Sequence, residues 1–367
     1  MPLPRGIVDS SKHIYAFAKY DRTDTMTSNK LIAWWLLAIV AISIIMVVLG
    51  GLVRLTSSGL SMVEWHIVTG IIPPLSEADW QAAFEKYKQF PEFKLLNSSM
   101  QLSDYKFIYL MEYAHRMLGR FLGLFFGLPL LYFWRRKIIP KAHMPRYIGL
   151  FSLLVFQGIF GWYMVLSGLS SMPHVSHYRL TGHLLLALAF IGICFWTALS
   201  EFSQYPAVRT NGGSKKIERI FGALFLLLIV QLALGGLVAG LKAGLVSSTF
   251  PQMQNAWIPS TLWTLSPWYI NFFENSFLIH FLHRWNGFIL LFGVIVLLVL
   301  VSKDRLSAVL SGPMLIIILI TLVQVMLGVL TILTQVPVPL ASMHQTVAIF
   351  LFLGLLAAMH KMRYSSE

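Results

Sequence analysis

Four of the eleven histidines in this sequence stand at positions that repeat. His115, His183, His283 and His344 each fall within the first turns of a long apolar stretch. An ionisable side chain in such a stretch is costly to bury unless it finds a partner. An interhelical hydrogen bond would satisfy one histidine, but four at repeated positions point to a shared task. Haem iron suits them, because it takes one axial imidazole above and one below a flat ring. Residues four further along share the same helical face, and here they are Gly119, Ala187, Gly287 and Ala348, which leave room for a plate. Arg116 and Arg284 directly follow their histidines. There a guanidinium would either pair with a propionate or snorkel to headgroups.

One contrast divides the four. Glu112 lies three residues before His115, whereas His280 holds the corresponding place before His283. A carboxylate beside a buried metal pocket is a candidate proton relay, and the competing reading is an acid paired with Arg116, Arg120 or Arg179. The pocket with Glu112 is therefore expected to be the reactive one and the other a redox site. Zinc is disfavoured, since it wants three or four clustered ligands. The sequence has one cysteine, Cys194, and no HExxH; His174 and His177 read as a solvated pair, and His13, His66, His143 and His360 receive no role. A single cysteine also excludes an internal disulfide.

The elements that position these residues follow from composition. The chain is 57% hydrophobic and 12% charged, with a mean hydropathy of +0.71, against about 25% charged for a soluble protein. Eight stretches are long and apolar enough to cross a bilayer as helices: 31–53, 107–134, 148–166, 178–199, 217–241, 278–301, 313–334 and 340–362. The net charge of +13 orients these spans rather than signalling nucleic acid. Arg5, Lys12, Lys19, Arg22 and Lys30 precede the first span; Arg135, Arg136, Lys137, Lys141 and Arg146 follow the second. Arg209, Lys215, Lys216, Arg219, Lys303, Arg305, Lys361 and Arg363 lie on the same side. Both termini are thus predicted to be cytoplasmic, with the histidines toward the outer face. The first residues lack the apolar core of a secretory signal, and Asp9, Asp21 and Asp24 argue against a mitochondrial presequence. A bacterial inner membrane is expected, with the mitochondrial inner membrane as alternative.

The halves resemble each other. Gly50-Gly51-Leu52-Val53 matches Gly235-Gly236-Leu237-Val238, His115-Arg116 matches His283-Arg284, Gln157 and Gly161 match Gln324 and Gly328, and His183 matches His344. Four spans per half give repeats of one orientation. The fold class is therefore an all-α integral membrane protein, with eight transmembrane helices forming two pseudo-symmetric four-helix bundles. The expected organisation is a tail over 1–30, an N-terminal bundle over 31–200, a linker over 201–216 and a C-terminal bundle over 217–367. Two long outer segments remain. In 54–106, Trp80, Phe84 and Tyr87 fall at helical spacing and suggest a helix lying on the membrane surface. The aromatic-rich 247–277 reads as interfacial anchoring or a lid.

These residues resemble the heme A synthase family over nearly all eight spans. The likeness rests on Gly50-Gly51-Leu52-Val53-Arg54-Leu55-Thr56-Ser57-Ser58-Gly59-Leu60-Ser61, Glu112-Tyr113-Ala114-His115-Arg116, Thr249-Phe250-Pro251, Trp257-Ile258-Pro259, His283-Arg284 and Met343-His344-Gln345. With no cysteine between Arg54 and Lys106, the chain is similar to the cysteine-free branch of proteobacteria and mitochondria. The resemblance implies an oxidoreductase that converts the C8 methyl of haem O to a formyl group by successive hydroxylations. It implies that His283 and His344, with Arg284, hold haem B as cofactor; that His115 and His183, with Arg116, bind the substrate haem; and that Glu112 is catalytic. Implied partners are the farnesylating haem O synthase as donor, an electron donor the sequence does not name, membrane lipid and a second copy in a homo-oligomer. The competing readings are a non-enzymatic b-type cytochrome carrying electrons between quinol and a partner, and a transporter with two parallel repeats.

Overall fold

The computed structural model describes residues 10–64, 69–170, 173–203, 215–304 and 307–364, with the side chains of 10–28, 69 and 170 outside that description. His13, His66, most of the tail and most of the 201–216 linker therefore lie outside the described side chains. Eight helices are long and apolar enough to span a membrane. They are α1 (Ser10–Leu55), α4 (Leu102–Arg135), α5 (Met144–Ser170), α6 (His177–Phe202), α7 (Lys215–Gly240), α9 (Ser276–Ser302), α10 (Ser307–Leu333) and α11 (Val338–Tyr364), with the short α8 (Asn271–Glu274) just before α9. Each predicted span is present. Hydropathy misplaces the start of α4, because the helix runs on through Asp104 and Lys106 into the outer layer. In α1 the helix is continuous from Ser10.

Within the first half α1 packs on α4 and α6, and α5 on α4 and α6, so the four helices close a ring. In the second half α7, α9, α10 and α11 do the same. The rings meet along α1, α6, α7 and α11. Close approach there depends on missing side chains: a methyl on Gly192 would fall 2.8 Å from the Phe352 ring, and one on Gly236 would fall 2.9 Å from Thr181 Oγ1. Polar ties also cross the seam, among them Ser200 Oγ with His360 Nε2 at 3.1 Å. Gln345 Nε2 donates to the Val47 carbonyl at 2.7 Å, and Arg54 donates to the Ala239 carbonyl. Outward-facing positions are apolar, with Leu128 63% and Phe292 68% exposed, as a lipid-facing belt requires.

The first helix of each half stops in the same way. Ser57 after α1 and Lys242 after α7 both take left-handed backbone, at φ 52° and 53°. Such a residue without a glycine's freedom costs about 1–3 kcal/mol, and it turns the chain away from the helix axis. The outer segments that follow fold over the bundle ends.

The first outer segment corrects one expectation. Helix α2 (Glu77–Tyr87) opens with a capping box between Ser76 and Asp79, and α3 (Pro91–Leu96) follows. Phe84 and Tyr87 are buried against Tyr105 and Ile108 of α4 rather than lying on a membrane surface. Trp80 meets Tyr109 edge-on at 5.1 Å. The apolar face is a small protein core.

That core encloses Glu92, which accepts a hydrogen bond from Tyr87 Oη at 2.9 Å, while Asn97 Nδ2 donates to the same hydroxyl at 2.8 Å. Burial raises the Glu92 pKa to about 7, with the hydrogen bond from Tyr87 opposing it, Glu112 adding to it and Lys242 opposing it. A carboxyl raised above its unfolded value stabilises the fold fully below about 4.5 and loses that contribution as pH rises through about 7. The difference amounts to about 3 kcal/mol. Limited proteolysis of the α2–α3 segment is expected to accelerate between pH 5 and 8 in the wild type relative to Glu92→Gln at the same pH. Parallel rates for the two proteins at every pH would refute this.

Candidate haem-binding sites

All four histidines lie in the N-terminal halves of even-numbered spans, on α4, α6, α9 and α11. Each rests on a glycine of the preceding span, where a methyl would crowd the ring. The contacts such a methyl would make are 3.1 Å from Gly50 to His115 Nε2 and 2.9 Å from Gly161 to His183 Cε1. They are 3.3 Å from Gly235 to His283 Cε1 and 2.9 Å from Gly328 to His344 Cε1. The four imidazoles are half-buried. By contrast, His280 and His360 are 1% and 5% exposed. His360 is a packing histidine, hydrogen-bonded to Ser200 and edge-on to Trp196.

The pairing is geometric. His283 and His344 face each other with ring centroids 6.3 Å apart and planes at 79°. Two imidazoles sharing one metal through bonds of about 2 Å place their centres about 6 Å apart, so this pair fits a hexacoordinate iron. His115 and His183 are near enough for a charge on one to be felt by the other. His183 stacks on Phe160 at 6.2 Å and 7°. The Nδ1 atom of His183 is buried without a hydrogen-bond partner, as suits a polar group awaiting a further ligand. Among the described residues no three His, Cys, Asp or Glu side chains cluster as a metal site. The donors thus come in twos, the number haem iron takes.

Glutamines support three of the rings. Gln157 Nε2 donates to the His183 carbonyl and Gln231 Nε2 to the His283 carbonyl, both at 3.0 Å. The amides of Gln157, Gln231 and Gln324 stand 3.4 Å from Nε2 of His183, His283 and His344. His344 Nδ1 also meets the Gln324 carbonyl at 3.1 Å. Sequence reading noted Gln157 and Gln324 as repeat markers but missed Gln231. The signal was the word Gln-x-x-x-Gly in spans three, five and seven.

Glu112 is 3% exposed and faces the first outer loop. Its Oε2 accepts from Ser61 Oγ at 2.7 Å and from the Met62 amide at 2.8 Å, and its Oε1 accepts from Arg116 at 2.5 Å. The acid–arginine pairing weighed from sequence is therefore present. Arg116 also donates to the Met62 and Glu64 carbonyls. In the second half Arg284 donates to His280 Nε2 at 3.0 Å and to the Ser247 and Thr249 carbonyls. Each arginine thus ties its outer loop to the histidine helix, a role the sequence did not suggest. Phe250, Pro251, Trp257, Trp285 and Phe288 line a cleft beside Arg284. Of the other candidates for the acid, Arg179 donates to the Tyr163 carbonyl and lies over that ring, while Arg120 donates to Met117 Sδ.

The chain matches the family model described as cytochrome oxidase assembly protein over residues 33–356. It is 42% identical over 340 residues to the heme A synthase of Nitrosospira multiformis, covering 91% of this chain and 94% of that protein. The chain belongs to the heme A synthase family. The Paracoccus denitrificans heme A synthase is 41% identical over 337 residues, covering 91% of this chain and 88% of that protein. Heme A synthase COX15 of Homo sapiens is 39% identical over 342 residues, covering 92% and 83%. Bacterial and mitochondrial members are thus about equally similar. Cys194, buried within α6, is the lone thiol of this family member.

The glycine seats give a direct test. Gly328→Ala is expected to lower bound haem at least about twofold, since overpacking costs about 1–3 kcal/mol and the methyl lands against His344. Gly123→Ala, where a methyl meets nothing within 4 Å, is expected to bind haem as the wild type does. Haem-to-protein ratios of the purified variants decide it, and equal ratios for both would count against the seat.

Proposed function

We propose that this protein oxidises the C8 methyl group of haem O to a formyl group by successive hydroxylations, giving haem A for terminal oxidases. The relatives named above carry the name heme A synthase, and the four glycine-seated histidines, two of them facing at 6.3 Å, are the observation that carries the reading to these residues. His283 and His344 hold haem B, which when bound supplies electron transfer. His115 and His183 hold the substrate haem from opposite sides.

In the substrate pocket Glu112 handles the proton. The Ser61 hydroxyl and the Met62 amide orient Oε2, and Arg116 fixes Oε1, so the acid is aimed rather than free. Arg116 and Arg284 hold the outer loops over their pockets, with guanidinium charge that suits propionates. The loops exclude water from the reacting edge. The two rings of helices act as a parallel repeat, with residues 31–200 as the substrate bundle and 217–367 as the cofactor bundle. Both termini lie on the cytoplasmic side of an inner membrane, with the haem sites toward the outer face. The substrate arrives laterally through the bilayer from haem O synthase, and a membrane electron donor reduces the cofactor. A homo-oligomer is compatible with this arrangement.

The test is haem analysis of the purified protein after co-expression with a haem O source. Haem O and haem A beside haem B support the synthase. A fixed complement of two haem B molecules and no haem A would support a two-haem electron carrier instead.

A further inference from the structure

The odd-numbered membrane helices carry the same device four times, a glycine under a histidine and a longer side chain one turn earlier. In three cases that side chain is glutamine, and in the fourth it is Met46. The slot is the same. A methyl on Gly119 would lie 3.5 Å from Met46 Cε, and one on Gly287 would lie 3.5 Å from Gln231 Nε2. The second half adds another polar group: Asn286 Nδ2 donates to Gln231 Oε1 at 2.9 Å and to the Leu227 carbonyl at 3.2 Å. Leu118 holds the position matching Asn286, three residues beyond its histidine. The helix turn that carries His283 is therefore pinned at its carbonyl by an amide that is itself fastened. Among the described residues no side chain hydrogen-bonds His115, which rests on Gly50 beside a flexible thioether.

We propose that Met46 makes His115 the releasable axial ligand, so that the first pocket exchanges its haem while the second retains one. This rests on the assignment of haem to both histidine pairs and concerns what sets residence time at each. A helix turn pinned by a hydrogen bond to the histidine carbonyl holds its ring in ligating orientation without using the ring nitrogens, and pre-organisation of that kind slows release. Methionine has three rotatable bonds and no donor; it fills the slot without holding the ring. A substrate pocket needs arrival and departure on each turnover, and a cofactor pocket needs neither. Met46 is in these terms a positioning residue acting through His115.

The experiment uses the full-length protein in lipid nanodiscs, loaded with haem B at both sites, and follows haem loss to excess apomyoglobin. Wild type is expected to release haem in two phases. Met46→Gln is expected to slow the fast phase roughly 5- to 10-fold, about what one hydrogen bond supplies, and to leave the slow phase alone. Gln231→Met is expected to speed the slow phase by a similar factor, which keeps the test independent of how well Met46→Gln folds. Met46→Leu, apolar and of similar size, is expected to release as the wild type does. Low-spin bis-imidazole electron paramagnetic resonance signals are expected in all three variants, so rates change without a change of ligands. An unchanged fast phase in Met46→Gln, or an unchanged slow phase in Gln231→Met, overturns the proposal. A wild type without bis-imidazole signals would instead overturn the haem assignment itself.

Discussion

Glu112→Gln is expected to stop haem A accumulation while the b-type absorbance, which the proposal assigns to His283 and His344, stays in place. On the proposed reading the carboxylate handles the proton, and losing a positioned proton-transfer group costs about 10²–10⁴-fold. Haem A is therefore expected to fall below about 1% of wild type on extraction. The amide keeps the size of the side chain but removes the charge facing Arg116, an ion pair with both side chains under a tenth exposed. Breaking such a pair by removing one partner costs about 3–5 kcal/mol, so the retained b-type absorbance is the control that the protein has folded. Ser61→Ala removes only one of the three hydrogen bonds that aim the carboxylate. It is expected to lower haem A several-fold without abolishing it. Haem A at the wild-type level in Glu112→Gln would leave the acid with a loop-clamping role alone.

The second large effect is expected at the cofactor pair. His283→Ala removes one of two rings 6.3 Å apart. Outer partners of a metal ligand alone are worth about 10–100-fold in affinity, so loss of the ligand itself is expected to cost at least about 100-fold. The b-type spectrum should disappear from the purified variant, whereas substrate haem should still bind at His115 and His183. His280→Ala is the matched control. That ring is 1% exposed and occupied by Arg284 Nε, so its loss is expected to loosen the 247–277 loop and leave the haem in place. An unchanged spectrum in His283→Ala would reassign the ligand.

Most of the scaffold was legible because the bilayer imposes a length and a composition on anything that crosses it. The histidines were legible because ionisable groups are rare in spans and these four recur in order. The α2 helix was misread because an amphipathic face looks the same whether lipid or protein covers it; the partners, Tyr105 and Ile108, lie on a helix that begins further out than hydropathy places it. The cradle of Glu112 was not legible either. Ser61 and Met62 are some 50 residues away in the chain, and only the left-handed turn at Ser57 brings their loop back over the acid. Met46 was invisible for a simpler reason. A methionine in an apolar span draws no notice until it is set beside the glutamines of the other three.

The hydrogen bond from Gln345 to the Val47 carbonyl fixes more than a helix seam. Gln345 is the next residue after His344, and Val47 lies one turn from Gly50, on which His115 rests. On the proposed assignment, a route of covalent links and one short hydrogen bond would run from a cofactor ligand to the wall of the substrate pocket. The architecture would then set the spacing over which an electron tunnels, and transfer would not wait on an encounter between separate parts.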